Sequence, residues 1–178
     1  FRSSVDEVLG KAEFQLEIID ALLPKQELVH TQWFHTDCLA TWYKVDVFSE
    51  EHWDIIKKYI QTAVKHGINM ILTPLFTPPL DTAVGGERPT VQLVDVEKYG
   101  DKYKFNFQKL KRWVDMCLSV GVEYFELSHL FTQWGAKHAP KIMATENGEY
   151  KRIFGWETDA AGNEYKNFLS QFLPQLVN

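Results

Sequence analysis

Three short segments concentrate the side chains that can do chemistry. Trp33-Phe34-His35-Thr36-Asp37 offers an indole, an imidazole and a carboxylate. On an extended chain Trp33, His35 and Asp37 point to one side, because strand side chains alternate with period two. Thr73-Pro74-Leu75-Phe76-Thr77-Pro78-Pro79-Leu80-Asp81-Thr82 presents Asp81 and Thr82 from a wall stiffened by prolines. Glu126-Leu127-Ser128-His129-Leu130-Phe131-Thr132-Gln133-Trp134 places a carboxylate, an imidazole, an amide and an indole within nine positions.

Each group has more than one use. His and carboxylate at i and i+2 can share a metal ion. Without further ligands in view, His35 and Asp37 read better as hydrogen-bonding pocket groups or a satisfied pair. Glu126 is a weak candidate for general acid or base. One carboxylate is only half of what sugar hydrolysis usually employs, so substrate binding or structural pairing is the stronger reading for it. Trp33 and Trp134 lie at strand ends, where an indole can meet the apolar C–H face of a pyranose. Trp53 and Trp113 lie on helical apolar stripes and read as core.

The elements that must hold these segments form a repeat. Leu28–His35 is rich in β-branched and aromatic residues and reads as a strand, with a loop over Thr36–Tyr43. Ser49 can cap a helix whose stripe is Trp53, Ile56, Tyr59, Ile60, Ala63 and Val64. Gly67 ends that helix, and Ile68–Leu72 follows as a buried strand. Leu110, Trp113, Val114 and Cys117 mark a second helix, Gly121 its end, and Val122–Leu127 the next strand. A third helix is marked by Tyr165, Phe168, Leu169, Phe172 and Leu176, with Pro174 able to kink or end it. Helix, glycine, strand twice over is the join of a repeating β/α protein, whose parallel strands need helical crossovers.

Two hairpins interrupt the repeat. One turns at Gly100-Asp101, the other at Asn147-Gly148, a pair suited to the type I′ turn. Both follow repeat strands, which in a (β/α) barrel places them on the C-terminal face, where sites are built. Upstream, the alternation in Phe14–Ile19 reads as a strand of a preceding β domain, with Pro24 in a linker. The expected organisation is therefore 1–26 as the tail and linker of that domain, and 27–178 as the first part of a (β/α) barrel. About three β/α units are legible, whereas a closed barrel has eight and needs about 250 residues. A doubly wound sheet with few strands is the alternative.

Bulk properties narrow the partners. The 178 residues are 45% hydrophobic and 24% charged, with a net charge of −5, which gives no reason to expect a nucleic-acid or anionic-membrane partner. No apolar run approaches the roughly 20 residues of a membrane span. The aromatic share is 14%, with six Trp, enough to supply both a core and a sugar platform. Cys38 and Cys117 show neither metal nor disulfide spacing and are expected to be reduced, buried thiols. No cofactor motif is present, no charged-then-apolar leader follows Phe1, and the compartment stays open.

Taken together, Thr31–Asp37, Gly67–Pro74, Glu87–Leu93 and Ser128–Gly135 resemble the proteins grouped as domain of unknown function 4091, which is similar to glycoside hydrolase family 123, the β-N-acetylgalactosaminidases. The resemblance runs from about Phe14 to Asn178. It implies a β-sandwich followed by a (β/α) barrel, a carbohydrate partner bearing N-acetyl-hexosamine, and substrate-assisted retaining hydrolysis. In that mechanism the substrate's acetamido oxygen attacks the anomeric carbon, a Glu protonates the leaving group, and an adjacent Asp orients the acetamide. Trp33, His35, Asp37, Asp81, His129, Gln133 and Trp134 match the family's motifs and are expected to line the pocket. The sequence has a single Asp-Glu dipeptide, Asp6-Glu7, far upstream of the barrel strands. The catalytic pair is expected beyond Asn178 and the chain is expected to be inactive alone, with self-association through an open barrel edge; the alternative is a non-catalytic carbohydrate-binding or structural module.

Overall fold

The computed structural model describes all residues except Phe1, Arg2, Ser3, Leu23, Lys25, Gln26, Asp81 and Trp134. Its elements run β1 (Thr31–Gln32), α1 (Thr36–Tyr43), α2 (Glu50–Lys65), β2 (Met70–Thr73), β3 (Asp95–Tyr99), β4 (Lys102–Asn106), α3 (Gln108–Ser119), β5 (Tyr124–Leu127), β6 (Ile142–Glu146), β7 (Glu149–Phe154) and α4 (Asn163–Leu176). They build two sheets, one ordered β1-β2-β5 and the other β4-β3-β6-β7.

The first sheet is the expected repeat. Both of its pairings are parallel, with Thr31 opposite Met70, and Leu72 opposite Glu126. Ser49 accepts the His52 amide and so caps α2, while Glu50 and Glu51 occupy the first turn, where the helix dipole favours anions. Gly67 and Gly121 take positive φ after α2 and α3. Both helices pack on the same face of the sheet. Trp53, Ile56 and Ile60 of α2 meet Trp113 and Cys117 of α3 over Ile71, with Phe34 and Phe125 against them. Trp53 and Trp113 are core residues, as their stripe positions predict. The Arg112 guanidinium closes the packing by stacking 4.6 Å above the Trp53 ring.

The two hairpins form where the turns predict, and Asn147 and Gly148 both take positive φ. They are not separate insertions. A parallel pairing of β3 with β6 fuses them into one sheet. One face of that sheet carries Val96, Tyr103, Phe105, Ile142, Ala144 and Phe154, which pack on Tyr165, Phe168 and Phe172 of α4. Pro174 sits in the last turn of α4 without ending it.

Three expectations are corrected. Phe14–Ile19 forms no strand, and Phe14, Leu16, Ile18 and Ile19 are exposed. Alternation alone does not make a strand; its amides need a ladder partner, and the described residues supply none there. The strand read over Leu28–His35 shrinks to Thr31–Gln32. The loop read over Thr36–Tyr43 is the helix α1. That helix buries Thr36, Asp37, Leu39 and Ala40, and Lys44 rather than a glycine takes the left-handed position that ends it. An eight-residue helix is marginal alone and is held by packing, which the sequence does not display.

Candidate functional site

At the C-terminal end of β1 the chain places Trp33, whose indole Nε1 donates to Glu126 Oε2 at 2.9 Å. Thr31 Oγ1 donates to the same oxygen at 3.3 Å. The Trp33 ring meets His129 edge to face, with centroids 5.5 Å apart. Trp33 remains 48% exposed. Trp33 thus meets Glu126, 93 positions away in sequence, and His129 in one cluster across the ends of β1 and β5.

His35 and Asp37 do not share the side of Trp33. The helix begins at Thr36, so the extended alternation stops one residue before Asp37. His35 is the extended residue that precedes α1, and its ring does not cap the helix. Asp37 lies buried in the first turn, where its carboxylate receives Arg88 at 3.0 Å. Arg88 also donates to Cys38 Sγ at 3.2 Å. A guanidinium already holds the carboxylate that a metal would need. Among the described residues no group of three or more His, Cys, Asp or Glu side chains is placed to hold an ion.

Gln133 donates to the Thr82 carbonyl at 3.2 Å and ties the loop after β5 to the loop after β2. Asp81 and Trp134 lie outside the described residues.

Several residues of this end of the molecule are not singled out by the sequence. Glu87 pairs with Lys141 at 3.1 Å and with Arg152. Hydrogen bonding from Lys141, with Arg152 beside it, holds the Glu87 carboxyl below its usual range. Lys141 Nζ also donates to the Arg88 carbonyl at 3.1 Å, and Trp156 Nε1 to that of Gly86 at 2.8 Å. The loop between β2 and β3 is therefore pinned from α1, from β7 and from the residues just before β6 and just after β7. The charges of Glu87 and Arg88 are visible in the sequence, but their partners lie about fifty or more residues away. His52 is a second omission. Fully buried on α2, it accepts the Phe48 amide at Nδ1 (2.9 Å), which leaves Nε2–H to donate to the Thr36 carbonyl at 2.9 Å. Burial lowers its pKa, consistent with the neutral ring that this pattern requires. Its place on the stripe four residues before Ile56 was the only signal.

The model of the glycoside hydrolase 123 catalytic domain matches residues 33–178. The chain belongs to glycoside hydrolase family 123. A solved family 123 glycoside hydrolase from Clostridium perfringens, studied for glycolipid glycan hydrolysis, shares the fold with a TM-score of 0.61 at 14% identity. That likeness covers 83% of this chain and 26% of the clostridial one, so the present chain spans about a quarter of that protein's length. Among curated proteins none matches this sequence. The family places the strand-end cluster within a catalytic domain, and the resemblance carried by the sequence motifs agrees with it.

Proposed function

We propose that this chain forms one wall of a sugar cleft in a glycoside hydrolase. The substrates are glycans bearing N-acetyl-hexosamine of the N-acetylgalactosamine type, cleaved by the substrate-assisted retaining route within a (β/α) barrel. The observation that carries the reading is the half-exposed Trp33 indole, fixed by Glu126 and flanked by His129 at the strand ends of a family 123 catalytic domain. A flat apolar surface beside polar edges suits a pyranose, which has an apolar face and a rim of hydroxyls. By their sequence motifs we assign His35, Gln133, Asp81 and Trp134 to the same cleft, whereas Asp37 pairs with Arg88 and fixes the neighbouring loop. The packing of α2 and α3 on one face of the parallel sheet is compatible with successive β/α units of a barrel.

These 178 residues have no Asp-Glu pair after β1, so we infer that they bind sugar without hydrolysing it. Calorimetric titration with methyl N-acetyl-β-galactosaminide should show binding that Trp33→Ala removes, and aryl N-acetyl-hexosaminides should not be turned over. Absence of binding would refute the sugar cleft. Turnover by this chain alone would refute the need for the missing pair.

A further inference from the structure

We infer that Glu126 is a positioning residue, whose carboxylate clamps the Trp33 indole and sets the plane on which a sugar ring lies. The inference rests on the sugar-cleft reading for what the indole does, and on geometry alone for how the indole is held.

β1 is only two residues long, so its ladder with β2 ends before Trp33. Nothing in that ladder orients the side chain that follows. The register supplies a substitute. Thr31 lies opposite Met70, and Leu72, two residues further along the same strand, lies opposite Glu126. Residues two apart on a strand share a face, so Thr31 and Glu126 project from the same face of the sheet with β2 between them. The Glu126 carboxylate spans that gap and receives the Thr31 hydroxyl at 3.3 Å and the Trp33 indole N–H at 2.9 Å on one oxygen. Hydrogen bonds to a carboxylate are stronger than neutral ones, and this one fixes the pyrrole edge of the indole. His129 meets the ring edge to face at an interplanar angle of 82°. Held at these two places, the ring keeps its exposed surface without the rotational freedom that binding would otherwise remove.

In this geometry Glu126 Oε2 accepts hydrogen bonds from two donors of the protein itself, which is what a positioning residue does.

The indole N–H resonances in a ¹⁵N–¹H spectrum test the clamp directly, because the six Trp give six such signals and Trp33→Phe identifies the relevant one. Glu126→Ala should move the Trp33 signal and leave the others in place. Glu126→Gln, whose amide oxygen still accepts, should restore most of the position. Titration with methyl N-acetyl-β-galactosaminide should weaken about tenfold in Glu126→Ala and within about threefold in Glu126→Gln. An unmoved Trp33 signal in Glu126→Ala overturns the clamp. So does a Glu126→Gln variant that keeps the wild-type signal yet loses as much affinity as Glu126→Ala, since the carboxylate would then touch the sugar itself. If the wild-type chain binds no such sugar, the cleft reading falls and the clamp is decided by the resonance alone.

Discussion

The Arg88 guanidinium lies 3.0 Å from Asp37 Oδ2, and the two side chains are 13% and 5% exposed. The pair joins the loop after β2 to the first turn of α1, across 51 positions of sequence. Both charges have left bulk water, so each depends on the other for compensation.

Removing one partner should therefore cost more than removing both. Arg88→Met leaves a buried carboxylate and is expected to lower stability by about 3 kcal/mol, whereas Arg88→Met with Asp37→Leu should recover much of that loss. Urea denaturation of the four proteins of the cycle measures the coupling. Additive losses would show that the pair is not a buried unit.

Acid should weaken the join between α1 and α2 through His52. Its folded pKa lies below the ordinary 6.5 because burial disfavours the cation, outweighing the Thr36 carbonyl and the Asp37 charge. Below 6.5 the unfolded chain binds a proton that the folded one still refuses, so stability falls as pH drops toward the lowered value. Above 6.5 the group contributes no slope. Denaturation midpoints between pH 7.5 and 5 should show this fall, and His52→Gln should reduce it. An unchanged slope in the variant would assign the acid sensitivity elsewhere.

The two thiols should differ sharply in reactivity, because only Cys117 is buried as expected and Cys38 is not. Cys38 is exposed on α1, whereas Cys117 is fully buried in the core and its pKa is pushed up to about 12 by burial. The thiolate is the reactive form, so a disulfide reagent at pH 8 should modify one thiol in the native protein and two after unfolding. Rapid native modification of both would mean that the Trp53–Trp113 core is open.

Gly121 links α3 to the strand that carries Glu126. It has φ +99, and an added Cβ would lie 3.2 Å from Val64 Cγ1 on α2. Gly121→Ala is expected to cost about 1–2 kcal/mol by combining backbone strain with this contact. Thermal unfolding reads the loss. If the strain arises where the geometry places it, Val64→Ala in the same chain should relieve the contact and leave the backbone part.

The sequence by itself determined the local elements whose signals lie within one turn or one stripe. Ser49, the Trp53–Ile60 stripe and Gly67 define α2 because caps, periodicity and a left-handed stop act between near neighbours. The Gly100 and Asn147-Gly148 turns fix both hairpins for the same reason. The family was legible too, since its motifs lie along continuous segments. Long-range pairing was not. The fusion of the hairpins through β3 and β6, the docking of Arg88 on Asp37, and the loss of the Phe14–Ile19 strand each depend on which distant group comes to lie alongside. Asp37 shows why the tertiary structure had the last word on the site. Its spacing from Trp33 suggested one shared face, but packing made the intervening chain helical, and that change of period sent the carboxylate to Arg88 and left the indole to Glu126.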